Sequence, residues 1–192
     1  MLYATLGLPR SGKTTFCNIW TKDFPKRVIV SGDDIRLALT GQRFNPAAES
    51  TVQSLKCTMI RTLLIRNFTV IHEGTNTTLN SVKNLEKLVE SVADNIVWLI
   101  FNTPADICKE RAILTKQEDL IDVIDRMDSQ QLETVDYLLQ KNKGKIIRVK
   151  QNNAPIIHHR KVNNEIHLCT TSRTDLFKLK STIGNIILVD YK

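Results

Sequence analysis

The chain carries the sequence Gly7-Leu8-Pro9-Arg10-Ser11-Gly12-Lys13-Thr14 near its amino end. This stretch fits the pattern G-x-x-x-x-G-K-[ST], in which glycines let backbone N–H groups curl round phosphate oxygens. The lysine brings a positive charge to the outer phosphates, and the final hydroxyl is suited to ligate Mg²⁺. An apolar run precedes the loop and an amphipathic helical pattern follows it, which is the context that phosphate binding needs. A bare glycine turn would not require this context, so the sequence predicts a nucleoside triphosphate site.

The loop also predicts the cofactors and their contacts. We expect ATP and Mg²⁺, with Lys13 as a catalytic cation and Thr14 as a metal ligand. The residues expected to contact the nucleotide are Gly7, Pro9, Arg10, Ser11, Gly12, Lys13, Thr14 and Thr15.

Apolar runs and helical patterns alternate along the first 150 residues. Five β-branched runs predict strands at 2–6, 27–30, 69–72, 96–101 and 145–149. Between them, apolar residues recur at three- and four-residue steps, as at Phe16, Ile19 and Trp20. The segment from Thr103 to Asp106 predicts a helix start in which Thr103 is the cap and Pro104 is the first helical residue. The alternation predicts an α/β fold with a five-stranded parallel sheet covered by helices on both faces.

Composition limits the class of protein further. The 192 residues, 42% of them hydrophobic, are enough for one substantial core. The apolar run at 96–101 is far too short to span a bilayer, and no basic segment of a secretory signal precedes the loop. The four cysteines are widely separated and form no CxxC pair, as is typical of reduced thiols. We therefore expect a cytoplasmic protein that has no membrane partner.

The positive charge is concentrated at the carboxyl end of the chain. Residues 1–140 have a net charge of −1, whereas residues 141–192 have a net charge of +8. Helical periodicity is lost beyond residue 151, and short strands are predicted at 155–162, 165–170, 176–180 and 185–190. We expect a catalytic domain at 1–150 and a small basic β-rich extension at 151–192. The extension either contacts phosphates of a polyanion such as nucleic acid or is a solvated basic surface.

A second polar motif, Ser31-Gly32-Asp33-Asp34-Ile35-Arg36, follows the second predicted strand. Parallel sheets bind ligands at the carboxyl ends of their strands, so Asp33 is placed to accept a proton from an attacking hydroxyl. Arg36, three residues later, lies on the same helical face and is suited to hold an anionic acceptor. The alternative is that Asp33 or Asp34 only caps the next helix.

With these two motifs the sequence resembles the P-loop kinase domain of phage-type polynucleotide 5′-kinases. The resemblance covers roughly residues 1–140. It implies a three-layer P-loop NTPase kinase-like sandwich in which Asp33 is the general base for a 5′-hydroxyl and Arg36 contacts a phosphate of the acceptor strand.

A third segment, Val70-Ile71-His72-Glu73-Gly74-Thr75-Asn76, resembles the D-x-T-N segment of the wider kinase family. The resemblance implies that Glu73 holds a metal-bound water and that Thr75 and Asn76 bind substrate. The phage-type enzymes tend to carry Asp directly before Thr-Asn, where this chain has Gly74. Helix capping by Thr75 or Asn76 is the structural alternative, and His72 is expected to be a hydrogen-bonded core residue.

The family also has a lid whose arginines lie over the triphosphate. Arg111 matches the helix before the lid and is expected to stabilise phosphoryl charge. Lys116 and Arg126 are further lid candidates, because the second lid arginine of the family is missing at its usual place. For Arg126 the alternative is a surface ion pair with Asp122 or Asp125.

Together these features predict ATP-dependent transfer of the γ-phosphoryl group to a hydroxyl. The expected acceptor is the 5′-OH of DNA or RNA in end processing or repair. One alternative is a kinase of a small alcohol or nucleoside, since acceptor choice depends on pocket shape. Another is an NTP-binding protein that binds nucleic acid without any transfer chemistry.

Overall fold

A parallel β-sheet organises the protein. The structure is a computed structural model that describes residues 1–22, 24–92, 96–141, 146–151, 160–162, 165–169 and 186–191. Four strands come from the first 141 residues: β1 (Leu2–Leu6), β2 (Arg27–Ser31), β3 (Thr69–Glu73) and β4 (Ile96–Phe101). They lie in the order β2-β3-β1-β4 and are all parallel. This order brings the carboxyl ends of all four strands to one edge of the sheet.

The predicted count of five parallel strands is wrong. The sheet continues beyond β4 with β5 (Ile146–Gln151), β6 (Arg160–Val162), β7 (Glu165–Cys169) and β8 (Ile186–Tyr191). In this continuation β8 pairs with β4, and β5 lies beyond β8. β6 and β7 are antiparallel, whereas β5 is parallel to both of its neighbours. The strand predicted at 176–180 lies outside the described residues.

Six α-helices lie among the described residues of positions 1–141. They are α1 (Lys13–Thr21), α2 (Gly32–Thr40), α3 (Glu49–Ile65), α4 (Leu79–Glu90), α5 (Ala105–Leu114) and α6 (Ile121–Lys141). Short 3₁₀ helices at Pro46–Ala48 and Glu118–Leu120 lead into α3 and α6. Within the residues described, no helix combines the length and apolar character that a membrane span needs.

Apolar side chains cover both faces of the sheet, as predicted. The alternation of a strand sends Leu2, Ala4 and Leu6 to one face, where α3, α4 and α6 pack. Tyr3 points to the opposite face and packs with Phe16, Cys17 and Trp20 of α1. Ile19, predicted on the buried face of α1, is 45% exposed. Only Phe16, Cys17 and Trp20 of this helix pack against the sheet, so the buried face is narrower than the apolar pattern of the sequence predicts.

Candidate active site

The phosphate loop (residues 7–14) joins β1 to α1 and depends on two glycines. A Cβ at Gly7 would lie 2.7 Å from the backbone oxygen of Phe101, so a larger residue is excluded. Gly12 caps α1 with a φ of 96°, in the left-handed region that favours glycine. Arg10 has a φ of 63° although it carries a side chain. The sequence pattern therefore corresponds to a steric requirement at this turn.

Lys13 lies at the centre of this loop with its ammonium group buried. Its Nζ donates to the backbone oxygens of Gly7, at 3.0 Å, and Leu8, and to Ser11 Oγ at 3.2 Å. Burial lowers the pKa of Lys13 to about 8, while the carboxylates of Glu73 and Asp33 act in the opposite direction. A bound polyphosphate would favour the charged lysine strongly, because it supplies the negative charge that the buried site lacks.

Thr14 and Glu73, the two residues predicted to hold the metal, contact each other beside the phosphate loop. The Thr14 hydroxyl donates a hydrogen bond to a Glu73 carboxylate oxygen. Mg²⁺ prefers oxygen ligands and is commonly held by one or two protein oxygens together with substrate phosphates. The two groups fit this role, and no cluster of three or more His, Cys, Asp or Glu side chains competes for a metal within the described residues.

The end of β3 is tied to β1 by a set of hydrogen bonds. Thr5 Oγ1 donates to the Gly74 oxygen at 2.7 Å and accepts from the Gly74 nitrogen at 2.9 Å. Gly7 donates its N–H to the Thr75 oxygen at 2.9 Å, and the Asn76 amide donates to the Thr5 oxygen at 2.7 Å. Thr75 and Asn76, predicted to bind substrate, therefore hold the phosphate loop against β3. They do not cap α4, because Thr78 accepts from the backbone nitrogen at position 81.

Gly74 is where the chain departs from the phage-type pattern, and its surroundings explain the departure. A Cβ at this position would lie 3.1 Å from His72 Nε2 and 3.2 Å from Asn76 Nδ2. His72 is buried, its Nδ1 is 3.3 Å from the Val30 oxygen, and burial lowers its pKa to about 4, which keeps it neutral. The prediction of a hydrogen-bonded core histidine is confirmed. An acid at position 74 would crowd this pair, whereas Glu73 is free to reach Thr14.

Asp33 lies in the first turn of α2, at the same edge of the sheet. Ser31 is the cap of this helix, since its Oγ accepts from the Asp34 nitrogen at 3.3 Å. The capping alternative for Asp33 and Asp34 is thus not what the structure shows. The Asp33 side chain is 90% exposed, which leaves its carboxylate open to an incoming hydroxyl.

Arg36 holds Asp33 through a network that includes a residue not predicted from the sequence. Arg36 Nη1 lies 2.6 Å from Asp33 Oδ1 and 3.2 Å from the Arg43 oxygen. Its Nε and Nη2 make a bidentate pair with Glu49, at 2.5 and 3.0 Å. The hydrogen bond to Glu49 is the main cause that raises the pKa of Arg36, and it lowers the pKa of Glu49. The described residues accept from four of the five guanidinium N–H groups, which leaves one for an acceptor phosphate.

The three predicted lid residues lie on different elements: Arg111 is in the last turn of α5, Lys116 follows that helix, and Arg126 is on α6. Arg111 Nη1 donates to the Arg10 oxygen at 2.9 Å, so the lid helix contacts the phosphate loop directly. Arg10 in turn donates to Thr115 Oγ1 at 2.7 Å and to Gln117. Lys116 is exposed and has a φ of 55°. Hydrogen bonds therefore run from α5 to the phosphate loop and from the phosphate loop to the segment after α5.

Arg126, the other lid candidate, lies exposed on α6. Its proposed partner Asp125 instead pairs with Lys109, at 2.5 Å. Within the described chain, the surface ion pair considered for Arg126 is not formed with Asp125 or Asp122.

Two supporting residues were not predicted for the roles they have. Glu49 is 13 positions from Arg36, and no local pattern links them. Thr103, predicted as the cap of α5, instead donates its hydroxyl to the Ser11 oxygen at 3.0 Å, and Pro104 takes the cap position. A buried threonine at a strand end facing a phosphate loop is the signal that would have found this contact.

The phosphate loop, the strand order and the charged groups at the carboxyl edge define a P-loop protein of kinase type. The chain belongs to the AAA_33 family of AAA domains, whose profile matches residues 2–147. No curated protein matches the sequence.

Several solved structures share this fold. A chain of the Pnkp1/Rnl/Hen1 complex is 28% identical over 57% of this chain, with a TM-score of 0.53. A second structure, of the Pnkp1/Rnl/Hen1 RNA repair complex, is 19% identical over 98% of this chain and 70% of its own, with a TM-score of 0.63. A proposed kinase from Chloroflexus aurantiacus j-10-fl is 16% identical over 62% of this chain and 73% of its own, with a TM-score of 0.51. The present chain spans 38% of the length of the first of these proteins.

Proposed function

We propose that the protein transfers the γ-phosphoryl group of Mg·ATP to the 5′-hydroxyl of a polynucleotide. The observation that carries this proposal is the exposed Asp33 carboxylate, which Arg36 holds at the edge of the sheet where the phosphate loop opens. Asp33 lies in the first turn of α2, directly after β2, and Lys13 begins α1, directly after the loop that follows β1, so both groups are at the carboxyl edge of the parallel sheet. An exposed carboxylate at the same sheet edge as the phosphate loop is suited to act as the base of a phosphoryl transfer.

The reaction assigns a step to each group. Asp33 accepts the proton of the 5′-hydroxyl while that oxygen forms a bond to the γ-phosphorus. The bond from the γ-phosphorus to the β–γ bridging oxygen breaks, and the products are a 5′-phosphate end and ADP. Lys13 and Arg111 stabilise the charge that moves to the leaving oxygen. Bound Mg²⁺ supplies further neutralisation of the phosphates, and Thr14 and Glu73 would hold it.

Acceptor binding is assigned to the β2–α2 side of the site. The one free N–H group of Arg36 would contact a phosphate next to the 5′-hydroxyl, with Thr75 and Asn76 shaping the wall of the site. Lys116 and Arg126 would close over the triphosphate from the lid side.

The comparisons support a polynucleotide acceptor. The 28%-identical chain comes from a structure of the Pnkp1/Rnl/Hen1 complex. The second solved structure of Pnkp1/Rnl/Hen1 names this assembly an RNA repair complex. We therefore favour a 5′-OH RNA end over a small alcohol.

The direct test is incubation with ATP labelled at the γ-phosphate and a panel of acceptors. The panel contains 5′-OH RNA, 5′-OH DNA, mononucleotides and small alcohols. We expect label on the oligonucleotides. Label on small molecules alone would contradict the polynucleotide assignment, and nucleotide binding with no transfer at all would favour a switch-like role.

The division into a catalytic domain at 1–150 and a basic extension at 151–192 that contacts phosphates remains a proposal. Because β8 pairs with β4, deletion of the extension would remove a strand of the central sheet. The suitable test replaces basic residues with Gln in the full chain, at Arg173, Lys178 and Lys180. If the extension contacts phosphates, oligonucleotide affinity falls and depends less on salt. Unchanged affinity would identify a solvated basic surface.

A further inference from the structure

A groove of about 660 Å³, lined mainly by residues with polar side chains, lies between α3 and α4, outside the site described so far. The two helices pack on the same face of the sheet, and the loop after β3 forms the upper end of the groove. The wall from α3 extends from Gln53 to Arg61. At 1.5 Å per residue this is roughly 12 Å of helix.

The lining has a consistent chemical character. Three cations line the groove, Lys56 and Arg61 from α3 and Lys87 from α4. Most of the other lining side chains are amides and hydroxyls, and no carboxylate is among the described lining residues. None of the three cations makes an ion pair with a carboxylate of the described chain. Such a surface lacks internal charge compensation and favours an anionic partner.

The groove connects to the candidate active site at its upper end. Asn76, which holds the phosphate loop to β3, also lines the groove. Lys56 is half-buried and lies within electrostatic range of Arg36, Glu49 and His72. Burial is the main cause that lowers the pKa of Lys56. Asn76 and Lys56 therefore link the groove to the side of the site where Arg36 and Glu49 lie.

We propose that this groove binds the phosphodiester backbone of the acceptor strand, downstream of its 5′ end. The inference rests on the proposed function and adds the path that the strand follows. A stacked strand rises about 3.4 Å per nucleotide, so the groove has room for about three nucleotides. The number of phosphates matches the number of cations, and the amides and hydroxyls are the neutral donors that commonly contact phosphate oxygens.

The binding experiment compares two charge-matched variants in the full chain. The groove variant combines Lys56→Gln, Arg61→Gln and Lys87→Gln. The control variant combines Lys22→Gln, Lys26→Gln and Arg66→Gln, all exposed and near the amino ends of the strands. The probes are 5′-phosphorylated 12-nucleotide RNA and DNA, and affinity is measured from 0.1 to 1 M salt.

The expected change follows from counterion release. Each lost phosphate contact reduces the salt slope of a single strand by about 0.7, so three contacts reduce it by about 2. If the groove variant and the wild type bind equally at 1 M salt, the variant should therefore bind about 100-fold more weakly than the wild type at 0.1 M. The control variant is expected to match the wild type. If the triple variant does not fold, Arg61→Gln with Lys87→Gln alone, both exposed, is expected to reduce the slope by about 1.4.

Transfer assays separate this inference from the proposed function. With a nucleoside 3′-monophosphate as acceptor, the groove variant should equal the wild type, whereas kcat/KM for the 12-nucleotide acceptor should fall. Failure of the wild type to label any acceptor would contradict the proposed function, and binding would then decide the groove alone. Equal binding by the groove and control variants would overturn the inference. If polyglutamate competes with the bound oligonucleotide as well as unlabelled oligonucleotide does, the inference is also overturned and the groove is assigned to acidic peptides. Tighter binding of the RNA or of the DNA probe would identify the natural strand.

Discussion

The buried lysine of the phosphate loop makes nucleotide affinity depend on pH in a way that can be calculated. Burial lowers the pKa of Lys13 to about 8 in the nucleotide-free protein. The polyphosphate binds the charged lysine, so its presence raises that pKa. Raising the pH through 8 removes the proton from the free protein, and binding must then recover it. Affinity for ATP should therefore fall as pH rises.

The size of the effect follows from the protonated fraction. With a pKa of about 8, roughly nine-tenths of the free protein carries the proton at pH 7 and roughly one-tenth at pH 9. The dissociation constant should rise about tenfold between these values, or about 1.4 kcal/mol. The histidine and the two thiols that are buried near Lys13 do not change charge in this range. Burial keeps His72 neutral, with a pKa of about 4, and raises the pKa values of the Cys17 and Cys108 thiols, the latter to about 11.

The assay is calorimetric titration with Mg²⁺ and a non-hydrolysable ATP analogue at constant ionic strength from pH 7 to 9. Lys13→Arg is the control, because a guanidinium stays charged throughout this range. Whatever its absolute affinity, the ratio of its dissociation constants at pH 9 and pH 7 should remain near 1. A wild-type ratio near 1, or the same tenfold ratio in the variant, would refute the reasoning.

Two further predictions test the supports of the site. Glu49→Gln weakens the bidentate pair that positions Arg36. Because both side chains are partly solvated, we expect kcat/KM for the acceptor to fall roughly fivefold, which corresponds to about 1 kcal/mol of transition-state stabilisation. ATP affinity should be unchanged. Glu86→Gln, which breaks the Lys141 pair on the far side of α4, is the control, and an equal effect of both changes would contradict a role for Glu49 in the site. Gly7→Ala should lower the free energy of unfolding by about 1–3 kcal/mol, because its Cβ would meet Phe101. Gly32→Ala should not, because its Cβ would make only an ordinary contact, at 4.0 Å, with Val52 Cγ1; equal melting temperatures for the two would count against the steric argument.

Local patterns were sufficient to predict the parts of the fold that local chemistry determines. The phosphate loop and strands β1 to β4 follow from glycine spacing and from short runs of apolar and β-branched residues, which are visible in a short window of sequence. The strand count failed because β8 pairs with β4 across more than 80 residues of sequence. Tertiary contacts determine pairing at that separation, and a short window of sequence contains no information about them.

In the candidate site too, residues placed by local sequence were predicted and residues placed by tertiary packing were not. Asp33, Arg36 and Glu73 were predicted because each follows the end of a strand, and parallel strands gather such residues at one edge. Glu49 was missed because its contact with Arg36 exists only when α2 and α3 pack together. Thr103 was assigned to the wrong partner, because a hydroxyl that fits a helix cap fits the Ser11 oxygen equally well.

The role of Asp33 is the central claim, and its removal beside an adjacent control tests it most directly. The measurement is the single-turnover rate of transfer from saturating ATP to a 5′-OH RNA oligonucleotide for Asp33→Asn and Asp34→Asn. Both residues are exposed in the first turn of α2, but Asp33 is the one that Arg36 holds. We predict a loss of about 10²–10⁴-fold for Asp33→Asn, with ATP affinity unchanged, and a rate near wild type for Asp34→Asn. A rapid Asp33→Asn enzyme, or equal losses in the two variants, would contradict the account.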